Sequence, residues 1–166
     1  MEIFYKKNDL EIFTENWKKF VTSYEVGFRY LPQFLKYTEE YSKNKIDDFS
    51  FVVIENLQVV GIAYLPIELI DNFKSISINN DYLFSPVGIN ERVEKFIFNE
   101  IDKIAKNLKL DFIKFQIEPT NLFQSRNYNF LLNYDFIDKS SADMMVDLMM
   151  EESVLWARIR GSYRPL

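Results

Sequence analysis

One stretch constrains this chain more than any other: residues 84–119, reading FSPVGINERVEKFIFNEIDKIAKNLKLDFIKFQIEP. In its middle, Val93, Phe96, Ile97, Ile101, Ile104, Ala105 and Leu108 recur at three- and four-residue steps. Glu91, Arg92, Glu94, Lys95, Asp102, Lys103 and Lys106 fill much of the other face, so the segment reads as an amphipathic helix. Asn90 is placed to cap it, and Glu91 and Glu94 complement the positive end of its dipole. Phe98 falls off the apolar stripe and requires a second neighbour, another helix or a partner. From Leu110 the period changes to two: Ile113, Phe115 and Ile117 point one way, and Lys114, Gln116 and Glu118 the other. The stretch therefore predicts strand, turn, crossover helix, strand, with the backbone-rich turn Ser85-Pro86-Val87-Gly88 at a helix N-terminus.

Around this unit the chain reads in order as follows. Residues 2–5 form a short strand and 11–21 a helix, with Thr14 or Asn16 near its start. Residues 24–42 carry a second helix with Pro32 in its first turn, where the missing N–H costs nothing, and with Phe34, Leu35, Tyr37 and Tyr41 as its apolar side. Trp17, Phe28, Tyr30 and Tyr37 are candidates to line a pocket, or simply to pack. Strands at 49–54 and 59–65 make an antiparallel hairpin, and Gly61 inside the second marks a bulge or a close backbone approach. Residues 67–78 read as a strand with a loop inside, followed by the turn signal Asn79-Asn80-Asp81. After the central unit come a short helix around 122–133, Phe136-Ile137, a last strand at 142–149 and a helix at 151–163. The expected fold class is α/β (α+β), with a central mixed sheet flanked by helices. One domain spans 1–150, and a C-terminal helix follows at 151–166.

Composition narrows the chemistry. The chain has no Cys, which excludes thiol nucleophiles, disulfides and thiolate metal sites, and no His, which excludes imidazole bases and the usual triads. Proton transfer falls to Asp, Glu, Tyr, Lys, an amine or water. A net charge of −5 argues against a dominant nucleic-acid surface. No apolar run approaches the roughly 18 residues of a membrane span, and the N-terminus MEIFYKKNDLEIF lacks the order of a signal peptide, so the expected location is cytoplasmic.

The element order resembles the GNAT acyltransferase fold, in which the strands before and after the long helix splay apart to admit a cofactor. NYNFLLNYDF (127–136) resembles that family's late helix and closing glycine–phenylalanine step, with Asp135 in place of the glycine. NWKKF (16–20), VVGIAYLP (59–66), SPVG (85–88), FQIEP (115–119) and the ending MVDLMMEESVLWARIRGSYRPL are similar to the first half of Fem-type (FemABX-like) aminoacyl-transferases. The resemblance implies a donor, acyl-CoA or aminoacyl-tRNA, and no metal. It implies an amino or hydroxyl acceptor on a small molecule or a cell-envelope or glycan precursor. It also implies a second half, absent here, or a homodimer in its place. The chain departs from the GNAT pyrophosphate loop, since SPVGINER offers only Gly88 where two glycines are usual.

The candidate residues follow. Ser85, Val87, Gly88 and Asn90 would meet the donor; the plainer reading is a capped strand–helix turn. Glu118, at a strand end where ligands often meet α/β sheets, is a candidate general base or a strand terminator before Pro119. Tyr134 sits where many GNAT enzymes place a tyrosine general acid; otherwise it is a core-edge aromatic. Asn121, Arg126 and Tyr128 are candidates to bind a polar substrate. Arg158, Arg160 and Arg164 form a small basic cluster, read as charge solvation or as a contact to a second half or tRNA. Two function classes stand: a transferase working by direct attack without a covalent enzyme intermediate, and a non-catalytic GNAT-like binding or dimerisation module. A cleft plugged by Phe84 or Phe123 would favour the second.

Overall fold

The structure, a computed structural model, describes residues 1–117, 128–139, 151, 153 and 154. It divides into two compact units, Met1–Phe136 and Ile137–Leu166. In the second, Ser153 and Val154 are helical, and Val154 N–H donates to the Glu151 carbonyl at 2.9 Å. The strand expected at 142–149 and most of the helix at 151–163 lie outside the described residues.

The first unit is a mixed α/β structure. Its helices are α1 (Leu10–Ser23), α2 (Pro32–Tyr41) and α3 (Glu91–Leu108). Its strands are β1 (Glu2–Tyr5), β2 (Lys45–Asp48), β3 (Phe51–Glu55), β4 (Gln58–Ala63), β5 (Pro66–Ile70), β6 (Phe73–Ile76), β7 (Leu83–Phe84), β8 (Val87–Gly88), β9 (Phe112–Ile113) and β10 (Phe115–Gln116). Several are halves of one longer strand. Phe49 N–H donates to the Leu65 carbonyl at 2.9 Å and Leu65 N–H to Ser50 Oγ at 2.9 Å, carrying the β3–β4 pairing on into β2–β5. Lys114 ties β6 to β7 in the same way: its N–H donates to Ile76 O at 3.1 Å, and its carbonyl accepts from Leu83 N–H at 3.0 Å. The lateral order is thus β1, β2/β3, β4/β5, β6/β7/β8, β9/β10. All neighbours are antiparallel except the last two, which run parallel with α3 as their crossover.

α3 packs on β4 and β8, and Tyr5 on β1 donates its hydroxyl to Glu100 at 2.6 Å; α1 packs on β1, β3 and β4. Two glycines let α3 approach. Gly61 and Gly88 are cross-strand partners, and a Cβ on Gly61 would lie 2.7 Å from Ile97 Cδ1 and 3.0 Å from Val93 Cγ1. Both readings of Gly61 hold, because the register with β3 also slips there, setting Val53 against Gly61 and Ile54 against Val59 and leaving Val60 as the extra residue. Phe98 finds its second neighbour within the chain, among Phe115, Phe130, Tyr134 and Phe136.

Other expectations need correction. Thr14 and Asn16 do not start α1; their side chains bond back to the Leu10 and Ile12 carbonyls one turn earlier, and Asp9 precedes the helix. Of the apolar side assigned to α2, only Leu35 is buried, while Tyr37 and Tyr41 face outwards. The reason is register: Thr38 takes the inward position, its hydroxyl satisfied by the Leu35 carbonyl at 2.8 Å. The strand with an internal loop at 67–78 is a hairpin, β5–β6, turning on Asp71 and Asn72 with φ of 50° and 68°.

Candidate functional site

Ser85, Val87, Gly88 and Asn90 lie on the strand–turn–helix from β7 to α3, and the first three are buried. The direction of their backbone groups decides what they can do. Leu83 and Ser85 donate to the β9/β10 strand, Leu83 N–H to the Lys114 carbonyl and Ser85 N–H to the Gln116 carbonyl at 2.9 Å. In a regular strand Val87 and Ile89 would donate to the same side. Instead Ile89 N–H donates to Val60 of β4 at 3.0 Å, and Val87 pairs with Ile62. The phase has slipped by one residue across Pro86, which has no N–H. In consequence Gly88 N–H is turned away from β4, towards the side on which β10 lies. Among the described residues no acceptor takes it.

The helix N-terminus that follows is already served. Asn90 Oδ1 accepts from Val93 N–H at 3.1 Å, and its carbonyl from Glu94 N–H at 3.0 Å. Glu91 and the buried Glu94 stand in the first turn, and the Arg92 guanidinium grips Glu55 on β3, its Nη1 lying 3.0 Å from Oε1. The hydrogen bond from Arg92 holds the Glu55 carboxyl below its usual range, and Glu55 raises the guanidinium in turn. A Cβ at Gly88 would lie 2.7 Å from Glu94 N and 3.1 Å from Val93 C. Gly88 is thus glycine because the strand touches the first turn of α3. With the N-terminal charge already met by carboxylates, a further anion gains little here. The geometry suits a neutral carbonyl oxygen on the Gly88 amide better than a phosphate on the helix.

Beside the turn the space is filled. Phe84 is buried, its ring 4.4 Å from that of Tyr30 and stacked on Tyr64 at 5.5 Å. Tyr30 donates its hydroxyl to the Ser85 carbonyl at 2.9 Å, and its own carbonyl accepts from Trp17 Nε1 at 2.8 Å. Burial pushes the Tyr64 hydroxyl well above the usual tyrosine range. Trp17 and Tyr30 are therefore core, and Phe28 and Tyr37, both exposed, share no pocket with them. Tyr134 lies flat on Phe98, ring centroids 3.9 Å apart, in the 3-10 turn Phe130–Tyr134, and Asp135 follows in the left-handed region at φ 61°. Tyr128 is exposed. Glu118, Asn121, Arg126, Phe123 and the three C-terminal arginines lie outside the described residues. Among the described residues no group of acidic side chains is placed to hold a metal ion. Among the described residues no helix is long and apolar enough to cross a membrane.

Sequence reasoning missed Glu68. It sits on β5 with no exposed surface while its neighbour Leu69 is 44% exposed, the inverse of what an alternating strand suggests. Its carboxylate accepts from Ser42 Oγ at 2.9 Å, Ser77 Oγ at 2.8 Å, Asn79 N–H at 2.6 Å and Asn80 N–H at 3.1 Å. The available signal was the pair Asn79-Asn80, whose positive φ angles of 47° and 64° turn two successive amides the same way.

No protein-family model, curated protein or solved structure matches the chain.

Proposed function

We propose that the chain has a GNAT-like fold and serves as an acyl- or aminoacyl-transferase of GNAT or Fem type, acting on an amino or hydroxyl group of a small-molecule or cell-envelope or glycan precursor. The observation that carries this reading is the slipped strand at Pro86, which aims the Gly88 amide towards β10 within a parallel pair joined by a crossover helix. A donor carbonyl on that amide would be polarised where a tetrahedral intermediate places its negative charge. The absence of Cys and His suits direct attack by the acceptor, without a covalent enzyme intermediate. Tyr134 as acid and Glu118 as base belong to the proposal, as do Asn121, Arg126 and Tyr128 as acceptor contacts. The carboxylates of the first helical turn favour an aminoacyl ester over acyl-CoA as donor, because a CoA pyrophosphate would face Glu91 and Glu94.

A second reading, a non-catalytic GNAT-like module, is favoured by one observation: Phe84, with Tyr30 and Tyr64, occupies the space beside the turn. Thermal unfolding with and without acetyl-CoA, free CoA and a 3′-aminoacyl-adenosine analogue separates the two. At a concentration about 100 times its dissociation constant, a bound donor adds about 2.7 kcal/mol of stability. The chain has only four glycines, so the Gly88 amide is readily followed by NMR in the same samples. A stabilising donor that moves this resonance supports the transferase. If all three ligands leave both melting temperature and resonance unchanged, the module reading takes its place.

A further inference from the structure

Away from the turn at Gly88, the C-terminal half of α3 and the end of β1 border a cavity of about 300 Å³, at the small end of the range in which ligands bind. Glu100, Ile104, Asn107 and Leu108 reach it from one face of the helix, at steps of four, seven and eight residues. Ile104 stands ten positions beyond Glu94, about 15 Å along the axis. The rest of the wall includes Tyr5 and Phe49, which meet edge-on with ring centroids 6.3 Å apart. The turn after β1 folds back, Asn8 and Asp9 N–H both donating to the Tyr5 carbonyl at 3.1 and 2.9 Å, and so brings Lys7 and Asn8 to the same cavity. Ile104 is buried, and Tyr5, Phe49, Glu100 and Leu108 are half-buried, whereas Lys7, Asn8 and Asn107 are exposed. The interior is therefore largely apolar and the rim carries nitrogen donors.

The unused donors select the charge of an occupant. Glu100, the one carboxylate in the wall, is already taken: Tyr5 donates its hydroxyl to Oε1 at 2.6 Å, and Lys103 reaches Oε2 at 2.7 Å. Burial opposes its ionisation, but the hydrogen bonds from Lys103 and Tyr5 hold the carboxyl below its usual range. Burial and the bond to Glu100 push the Tyr5 hydroxyl above its own, so the proton stays between them. Lys7 is the reverse case. Its ammonium lies 3.2 Å from the centroid of the Phe49 ring, and the carboxylate of Asp47, at 3.6 Å, is beyond hydrogen-bond reach. Lys7 thus makes no hydrogen bond among the described residues, and the side-chain amides of Asn8 and Asn107 have no partner there either. We infer that this cavity binds a small organic monocarboxylate with an apolar body, its charge on Lys7 and the two asparagine amides and its body against Tyr5, Phe49, Ile104 and Leu108. A ligand cation would instead compete with Lys7 for the Phe49 ring and meet a carboxylate that is already matched. This inference does not rest on the transferase reading.

Amide NMR titration of the full chain with phenylacetate, acetate and phenethylamine tests it. Phenylacetate should shift the amides of Lys7, Asn8 and Asn107 saturably, with a dissociation constant of about 0.1–1 mM for so few heavy atoms. Acetate lacks the ring and phenethylamine reverses the charge, so neither should saturate these shifts by about 10 mM. Lys7→Met keeps the stem over Phe49 but removes the ammonium, and should weaken phenylacetate about tenfold, as loss of a hydrogen bond to a charged group does. Lys19→Met, an exposed position on α1 outside the cavity, removes the same charge and should change the affinity by less than about twofold. Both substitutions lie at the surface, and an unchanged circular dichroism spectrum checks that the fold persists. Asn107→Asp, which replaces a donor by a carboxylate, should also weaken binding. The inference is overturned by a phenylacetate titration without saturable shifts, by equal saturation with phenethylamine, or by a Lys7→Met variant that binds as well as the parent. Shifts centred on Gly88 instead of Lys7 overturn it too.

Discussion

The strand formed by β6, β7 and β8 is interrupted twice, and the two interruptions treat their backbone differently. At residues 77–82 the chain leaves the strand in a small hairpin: Ile78 and Asp81 bond to each other, and the amides at its tip enter the Glu68 carboxylate. Lys114 closes the outside by donating to the Asn80 carbonyl and side-chain oxygen, both at 2.7 Å. At Ser85-Pro86 the chain slips by one residue without leaving the sheet, and the Gly88 amide comes out facing away from β4. The first interruption supplies its own anion and is complete; at the second, the buried Gly88 amide meets no acceptor among the described residues. A buried carboxylate that looks catalytic is here architectural.

Substitutions can break this contrast. Glu68→Ala should be the most damaging, at about 4 kcal/mol in urea unfolding, because two hydroxyls and two amides lose their acceptor together. It should leave donor binding by the folded fraction unchanged; a selective loss of donor binding would mean that the first interruption also serves the site. Gly88→Ala comes next, at about 2–3 kcal/mol, since its methyl meets the backbone of α3 rather than a side chain that can turn aside. Here donor binding should fall together with stability, and a stable alanine variant that still binds would remove the Gly88 amide from the proposal. Asn90→Ala should cost about 1 kcal/mol, the usual value of a helix cap, and lower the melting temperature without changing ligand preference. Lys114→Met should cost at most about 0.5 kcal/mol, its contacts being at the surface, and faster amide exchange at Asn79 and Asn80 would be its clearest trace.

Much of this was legible in the sequence because it followed a period. The 3.6-residue stripe of α3 and its Asn90 cap stand where the sequence put them, as do the hairpin around 55–58 and the change to alternation after Leu110. Elements that depend on a local exception were harder to read. β2, with the sequence Lys45-Ile46-Asp47-Asp48, shows no apolar face, and it pairs with β5 because the β3–β4 hairpin that follows carries its pairing on into β2–β5. α2 misled because its aromatic residues look like a core while Thr38 takes the inward position. At the site, Gly88 was recognisable as part of the turn before α3, but its close approach to that helix and the phase of its amide were not. That phase depends on a slip at Pro86, which periodicity does not encode. Glu68 was hidden by the same kind of exception, an acidic residue turned inward on a strand whose neighbouring leucine faces out.

The facing pair Gly61 and Gly88 also bears on which sequences this architecture can accept. The tightest obstacles to a larger residue at 61 are the tip of Ile97 at 2.7 Å and a methyl of Val93 at 3.0 Å, side-chain atoms that a shorter neighbour would withdraw. The Val87 carbonyl oxygen, at 3.1 Å, bounds how large that residue can be. The obstacle at 88 is peptide backbone. Position 61 can therefore trade volume with position 97 as a lineage drifts, each change permitting the other. Position 88 has nothing to trade with. Two identical glycines, one strand apart, would carry unequal histories: one a negotiable boundary between sheet and helix, the other fixed for as long as α3 begins where it does.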